Sequence, residues 1–405
     1  MKNPASLKRS LSLPMLTLYG LGTTVGAGIY ALVGQIAGFA GYYAPLSFLI
    51  ASILAGFTAL SFAELSSRYP RAAGAALYAQ HGFGSIRFST FIGLLVVIAG
   101  LVSAAALING FLSHLQQFIE ADRILTIVLI TLTLGAIAGW GISESVIVAS
   151  IITLIEVGGL LLVIFVSSDA LSSLPSRWHE LIPPIEMASW QGIFFGAVLS
   201  FYAFIGFEDM VDVAEEVKDV KYKMPLAILL TLGITLLLYV LLMIAAVLSF
   251  PPSEIAASEV PLAYLYEYNS GQEATVIMLI GMFAVINGAL IQMIMASRVL
   301  YGLSSRGQLP AIFSIVDRRT QTPLISTAIA TLVVMGLALT GSLLSLAEAT
   351  SVVMLTIFSI INLSLWRIKR QDPHPVDTII FPAWIPIMGF FTSSAFVFAK
   401  LFSAL

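Results

Sequence analysis

The clearest chemical signal is Glu156, in Thr153-Leu-Ile-Glu156-Val-Gly-Gly-Leu160, a carboxyl with apolar residues on both sides. Inside a bilayer such a group is unfavourable by about 2.5–3.5 kcal/mol, and an acid kept there usually marks an ion path. A carboxyl that is neutral for part of a cycle can take up and release a proton. Three other roles are open to it: a structural hydrogen bond between helices, a cation site, or a contact to substrate.

Two further segments offer chemistry through their backbone. Val25-Gly26-Ala27-Gly28 falls inside the apolar run Leu11–Ala40, which as one helix would be about 45 Å long, well beyond the hydrocarbon thickness. Tilt absorbs some of the excess, and a break at Val25–Gly28 absorbs it too, because glycine makes a break cheap. Such a break frees N–H groups, and the half-helix after it presents a positive N-terminus. The two together suit a carboxylate without any basic side chain. The second segment is Phe201-Tyr202-Ala203-Phe204-Ile205-Gly206-Phe207-Glu208. A break there, at Ile205–Glu208, leaves the carbonyls of Ala203, Phe204 and Ile205 to meet an ammonium group. One anion site and one ammonium site describe the backbone of an α-amino acid. Glu208 is a candidate contact to substrate or proton, with Asp209 and Asp212 lining the same path. Gly20 and Gly22 read as close-packing positions, and Asn287 as an interhelical hydrogen bond.

These groups must be held by membrane-spanning helices. The chain has 405 residues, 59% apolar and 10% charged, against about 25% charged in soluble domains. No Asp, Glu, Lys or Arg occurs between Arg9 and Glu64, and long charge-free gaps recur, as from Met224 to Ser253 and from Ala274 to Ser297. Continuous apolar runs disfavour a β-barrel, which needs alternation. The expected spans are Leu11–Ala40, Pro45–Ala63, Phe88–Leu112, Ile124–Trp140, Val146–Val166, Gln191–Asp212, Pro225–Leu248, Ala274–Leu303, Pro323–Thr340, Leu343–Leu365 and Ile379–Phe402. The first is read as a helix and not as a removed signal. Of the 19 Lys and Arg, only Arg123, Arg177 and Lys400 fall outside the side that holds the N-terminus. That side is therefore cytoplasmic, which leaves the C-terminus outside and the whole in the cytoplasmic (plasma) membrane.

The expectation is thus an all-α integral membrane protein of eleven transmembrane helices and one transporter domain, 1–405. The broken spans, the first and the sixth, each open a group of five, 11–166 and 191–367, with an additional helix at 379–402. Five is odd, so the groups enter the membrane from opposite sides. Interrupted helices at matching positions of inverted halves point to a transporter's binding site.

The chain resembles the amino acid–polyamine–organocation superfamily of permeases, with its leucine-transporter type fold. The resemblance is carried by Val25-Gly-Ala-Gly-Ile-Tyr30, Ala63-Glu-Leu-Ser-Ser-Arg-Tyr-Pro-Arg71-Ala-Ala-Gly74, Phe201 to Glu208 with Ala214-Glu-Glu216, and Ser297-Arg-Val-Leu-Tyr-Gly-Leu303 with Leu309-Pro310. It implies an aromatic gate over the substrate at Tyr202. Several proton-coupled relatives have a lysine where this chain has Glu156, so the lysine mechanism does not carry over.

Other classes fit less well. No cysteine is present, the histidines lie in loops or near span ends, and no phosphate-binding loop occurs. An enzyme would need convergent catalytic groups, and a channel a pore-lining repeat or charge ring. The expected function is secondary transport of amino acids by alternating access, proton-coupled through Glu156. Exchange and sodium symport are the alternatives within transport, and a channel the alternative outside it. The partners are then an amino acid, a proton or sodium, and the bilayer, with no nucleic acid, no metal and no cofactor.

Overall fold

A computed structural model describes residues 7, 9–116, 118–258, 260–341 and 343–403, except for the side chains of 27, 28, 31, 113, 114, 343–349, 351 and 399–403. Its elements are helical, joined by turns and one isolated bridge. The first broken helix is α1 (Leu13–Thr24) and α2 (Ala27–Ala40), followed by α3 (Ala44–Arg68). Next come α4 (Gly74–Phe83), α5 (Ile86–Leu115), α6 (Arg123–Trp140) and α7 (Ile142–Val166). The second broken helix is α8 (Met187–Tyr202), continued by a 3-10 segment, Phe207–Glu216. After it come α9 (Val220–Ser249), α10 (Thr275–Ser305), α11 (Leu324–Thr340), α12 (Leu343–Gln371) and α13 (Trp384–Ser403).

Among the described residues, eight helical stretches are long and apolar enough to cross a membrane, with Leu324–Thr340 and Trp384–Phe398 as shorter apolar helices. One of the eight, Leu32–Arg68, runs through the turn Gly41–Tyr43 and so joins two of the expected spans. Large apolar side chains such as Phe165, Trp140, Ile124 and Leu132 cover the outside, as lipid requires. This is an integral membrane protein.

The spans are also longer than their charge-free cores. α3 runs on to Arg68 and α12 to Gln371, because paired charges at helix ends are tolerated where they leave the hydrocarbon. The loop expected between the second and third spans contains α4, and the loop before α10 contains the short helices Pro252–Ala257 and Pro261–Ser270.

α10 is the central post, packed along α5, α7 and α1. Around it the broken helices pair by halves. α2 lies against α8, and α1 lies against Phe207–Glu216. The backbone reinforces the second pairing, since Ser10 and Leu11 donate to the Glu216 carbonyl (both 3.0 Å) and Lys218 donates back to Leu11 (3.2 Å). This end carries Arg68, Arg71, Lys218, Arg306 and Lys369, and is called the basic end below.

Glu64, at the end of α3, ties three elements through its carboxylate. Oε1 accepts from Arg68 Nε (2.9 Å) and Nη2 (2.7 Å), while Oε2 meets Lys369 Nζ (2.7 Å) and the Phe381 N–H (2.9 Å). All three side chains are buried. Removing one partner of a buried pair typically loses about 3–5 kcal/mol, because the remaining charge is left uncompensated. Glu64→Ala strands two buried cations, so we expect a lower unfolding midpoint in detergent than for Glu64→Gln, and both below wild type. A midpoint for Glu64→Ala equal to wild type would sink this account.

Candidate functional site

The first break is narrower than Val25–Gly28. Val25 keeps helical dihedrals and donates to Leu21 (2.7 Å), closing α1. Ala27 and Gly28 already begin α2. The redirection is carried by Gly26, at φ −43° and ψ −158°. Because the first N–H groups of a helix have no partner within it, the start of α2 at Ala27 still presents donors and a positive dipole end to the break.

The second break is longer. Beyond Tyr202, successive tight turns bond Ala203 to Ser200 (3.0 Å), Phe204 to Phe201 (3.0 Å) and Ile205 to Tyr202 (3.2 Å). Gly206 follows at φ +129°, a conformation that residues with a Cβ avoid. A Cβ there would stand 2.6 Å from the Thr23 carbonyl oxygen of α1. The two breaks therefore touch backbone to backbone. Glu208 turns back on its own break, its Oε2 accepting from the Gly206 N–H (2.8 Å).

A residue that the sequence reading passed over joins the breaks. The Tyr239 hydroxyl on α9 lies 2.8 Å from the Thr24 carbonyl and 3.2 Å from the Ala203 carbonyl. One hydroxyl proton is shared by two carbonyls freed by two different helix breaks. The available signal was a single phenol in an otherwise aliphatic stretch, Leu236-Leu-Leu-Tyr239-Val-Leu-Leu242. Its ring packs on Phe204 (centroids 5.4 Å) and Phe48 (5.5 Å). Tyr202, on the last turn of α8, is half-buried with its hydroxyl buried and unpartnered.

Glu156 lies on α7 beside α1 and α10. Asn287 Nδ2 donates both to Glu156 Oε1 (3.0 Å) and to Thr153 Oγ1 (2.9 Å). Glu156 Oε2 and Asn287 Oδ1 are buried without a partner. The Tyr30 hydroxyl of α2 donates to the Glu156 carbonyl (3.1 Å). Gly22 completes the enclosure, since a Cβ there would stand 2.7 Å from Asn287 Nδ2. Tyr30 thus ties α2 to the Glu156 backbone, while Gly22 of α1 packs against the Asn287 and Thr153 side chains beside it.

At the basic end a cavity of about 460 Å³ is lined by Arg68, Tyr69, Arg71, His81, Glu215 and Arg306, among others. Burial, with the Arg306 guanidinium adding to it, holds the His81 imidazole below its ordinary pKa. Its ring stacks on Tyr69 with centroids 3.9 Å apart. The described residues contain no group of His, Cys, Asp and Glu able to hold a metal ion.

A family model described as "Amino acid permease" matches residues 11–404. The chain is 30% identical to cationic amino acid transporter 2, vacuolar, of Arabidopsis thaliana, over 91% of this chain and 61% of that protein. It is 27% identical to the branched-chain amino acid permease BcaP of Bacillus subtilis, over 91% of this chain and 82% of that one. The chain therefore spans less than two thirds of the plant relative's length. Among solved structures, MhsT in complex with L-phenylalanine superposes with a TM-score of 0.64 at 15% identity, over 98% of this chain and 100% of that one. That likeness fixes the leucine-transporter type fold.

The contact between the breaks generates a stability expectation. Gly206→Ala combines a strained φ with a clash against the Thr23 carbonyl, and such strain is worth about 1–3 kcal/mol. Tyr239→Phe leaves two buried carbonyls without their shared donor, again about 1–3 kcal/mol. Both variants should melt below wild type in detergent, whereas Phe204→Leu, which touches neither carbonyl, should fall less than either. The reverse order would refute the bridging role of Tyr239.

Proposed function

The chain belongs to the amino acid permease family, whose members are transporters and not enzymes, and from that premise we propose that it carries amino acids across the cytoplasmic membrane by alternating access. The observation that supports this most is the meeting of two helix breaks, backbone to backbone, under one shared Tyr239 hydroxyl. The start of α2, from Gly26 through Ala27 and Gly28, receives the α-carboxylate. The carbonyls of Ala203, Phe204 and Ile205 receive the ammonium group, and for this Tyr239 releases the Ala203 carbonyl. Tyr202 closes over the substrate.

In this reading the chain has eleven spans, two inverted groups of five at 11–166 and 191–367, and a further helix at 379–402. The basic end is cytoplasmic, the N-terminus lies inside and the C-terminus outside. The pairing of α2 with α8, and of α1 with Phe207–Glu216, supports such a plan, because each pair can tilt as a unit about the breaks.

Substrate side chains differ among the relatives, whose names include cationic and branched-chain amino acids. A neutral substrate is the better match here. Glu208 is engaged by the Gly206 N–H, and the surroundings of the breaks are the aromatic rings of Phe48, Phe204 and Tyr239.

Coupling runs through Glu156. Its free Oε2 is the place for a proton, and through Asn287, which packs on Gly22, and the Tyr30 bond to its backbone, protonation alters how α1 and α2 sit against α7. A sodium symporter is the second reading. It is favoured by oxygens gathered there, Glu156 Oε2, Asn287 Oδ1 and Thr153 Oγ1, since hard cations prefer oxygen ligands.

Two measurements separate these readings. Thermal shifts across the amino acids, with and without sodium and at two pH values, should show stabilisation by neutral amino acids that sodium leaves unchanged. Silence toward every amino acid would remove the substrate class. In proteoliposomes, Glu156→Gln should keep amino acid binding and lose uptake driven by a pH gradient; full gradient-driven uptake by this variant would end the proton role.

A further inference from the structure

Between the second break and the basic end, Phe207–Glu216 carries four buried acids, Glu208, Asp209, Asp212 and Glu216. Glu208 is held by its own break. The other three each have a partner on a different element or position. Gln292 Nε2 donates to Asp209 Oδ2 (2.6 Å), the Gly74 N–H to Asp212 Oδ1 (3.0 Å), and Arg298 Nη2 to Glu216 Oε1 (3.4 Å). Arg298 is fully buried and pairs with Glu216. The half-buried Arg306 acts on Asp212 and Glu215 from the end of α10.

Two phenol hydroxyls complete the arrangement. Tyr19 on α1 and Tyr78 on α4 are fully buried, and neither hydroxyl has a partner. Tyr19 lies within electrostatic reach of Asp209, Asp212, Glu216 and Arg298. The Tyr78 hydroxyl stands 3.0 Å from where a Gly74 Cβ would be, beside the N–H that holds Asp212. A buried hydroxyl without a partner is unfavourable by about 1–3 kcal/mol, so its retention at two points along one row of carboxyls calls for a reason. A hydroxyl can accept a proton on one side while donating on the other.

Three of the acids are also held from one helix at successive levels. Along α10, Asn287 holds Glu156, Gln292 holds Asp209 and Arg298 holds Glu216. At 1.5 Å rise per residue these stations are about 7.5 and 9 Å apart along the helix. Carboxyls at such spacing need a hydroxyl or water between them to exchange a proton, and the buried, unpartnered Tyr19 hydroxyl of α1 is within electrostatic reach of the last two. Beyond Glu216, its neighbour Glu215 lines the cavity at the basic end.

We propose that Asp209, Asp212 and Glu216, bridged by the hydroxyls of Tyr19 and Tyr78, form the route by which the proton bound at Glu156 leaves for the cytoplasm. The inference rests on the proton-coupled reading of Glu156. In each step the donor carboxyl's O–H bond breaks with its electron pair left on that oxygen. An intervening O–H (water between Glu156 and Asp209, a tyrosine hydroxyl or water beyond) takes that proton and passes its own to the next carboxylate, and the last proton ends in water at the cavity. Glu156 is returned as carboxylate with no change of oxidation state. Gln292 and Arg298 are positioning residues that keep the stations in register.

The test uses the full chain in proteoliposomes with a trapped pH dye, reading internal acidification driven by inward amino acid uptake. Counterflow of labelled amino acid, which needs no net proton movement, is measured alongside. Asp209→Asn and Tyr19→Phe should each retain counterflow and slow acidification by about tenfold or more. Acidification at the wild-type rate in both variants would overturn the route. If Asp209→Asn also loses counterflow, Tyr19→Phe decides, because it removes one oxygen and keeps the packing; unslowed acidification in that variant counts against the route. Absence of acidification in the wild type would instead dismiss the proton-coupled reading itself.

Discussion

In hydrocarbon a backbone carbonyl freed from its helix has no water to turn to, and each such group left bare is unfavourable by several kcal/mol. Two breaks in one bundle therefore need partners supplied by the protein. Here a single hydroxyl, that of Tyr239, is shared by the Thr24 and Ala203 carbonyls. Gly206, by having no side chain, allows its backbone to approach that of Thr23. This contact brings the breaks face to face. Three-centre sharing leaves both carbonyls weakly bonded, which is why the proposed site has a substrate ammonium replace the hydroxyl.

Four of the acids inside the bundle are each held by a donor on a different element. Glu156 on α7 is held from α10, and its backbone carbonyl accepts from Tyr30 of α2. Asp209 and Glu216 are held from α10, and Asp212 from the start of α4. Because a buried carboxyl's protonation depends on its partners, a shift of α1 or Phe207–Glu216 against α10 changes charge and geometry together. Glu64 shows the contrasting case. With Arg68, Lys369 and the Phe381 N–H it is fully occupied, and it fastens α3 to α12 and to the chain before α13.

Much of the fold was legible because bilayer chemistry writes directly into composition. Charge-free stretches located the helices, and the glycines of Val25-Gly26-Ala27-Gly28 and Ile205-Gly206 located the breaks to within a few residues. Asn287 read correctly as an interhelical donor. Other features escaped. The helix Gly74–Phe83 was read as loop, since it lies at the bundle's end, where apolar runs no longer mark helices. The first break proved narrower than its four-residue motif, because backbone hydrogen bonding carries the helix through Val25 and resumes it at Ala27.

By itself, then, the sequence determined what can be decided locally: which stretches must be helical in lipid, where a helix yields, and which acids lie too deep to be surface charges. Hydropathy and glycine geometry act along the chain and need no partner. Which groups meet was decided only by the tertiary structure. Tyr239 bridges carbonyls more than thirty positions apart on one side and over two hundred on the other. Glu208 faces its own break, not an open path. Gln292, Gly74 and Arg298 select among the acids. A hydrogen bond acts over about 3 Å, and only packing brings residues so distant in sequence within that reach.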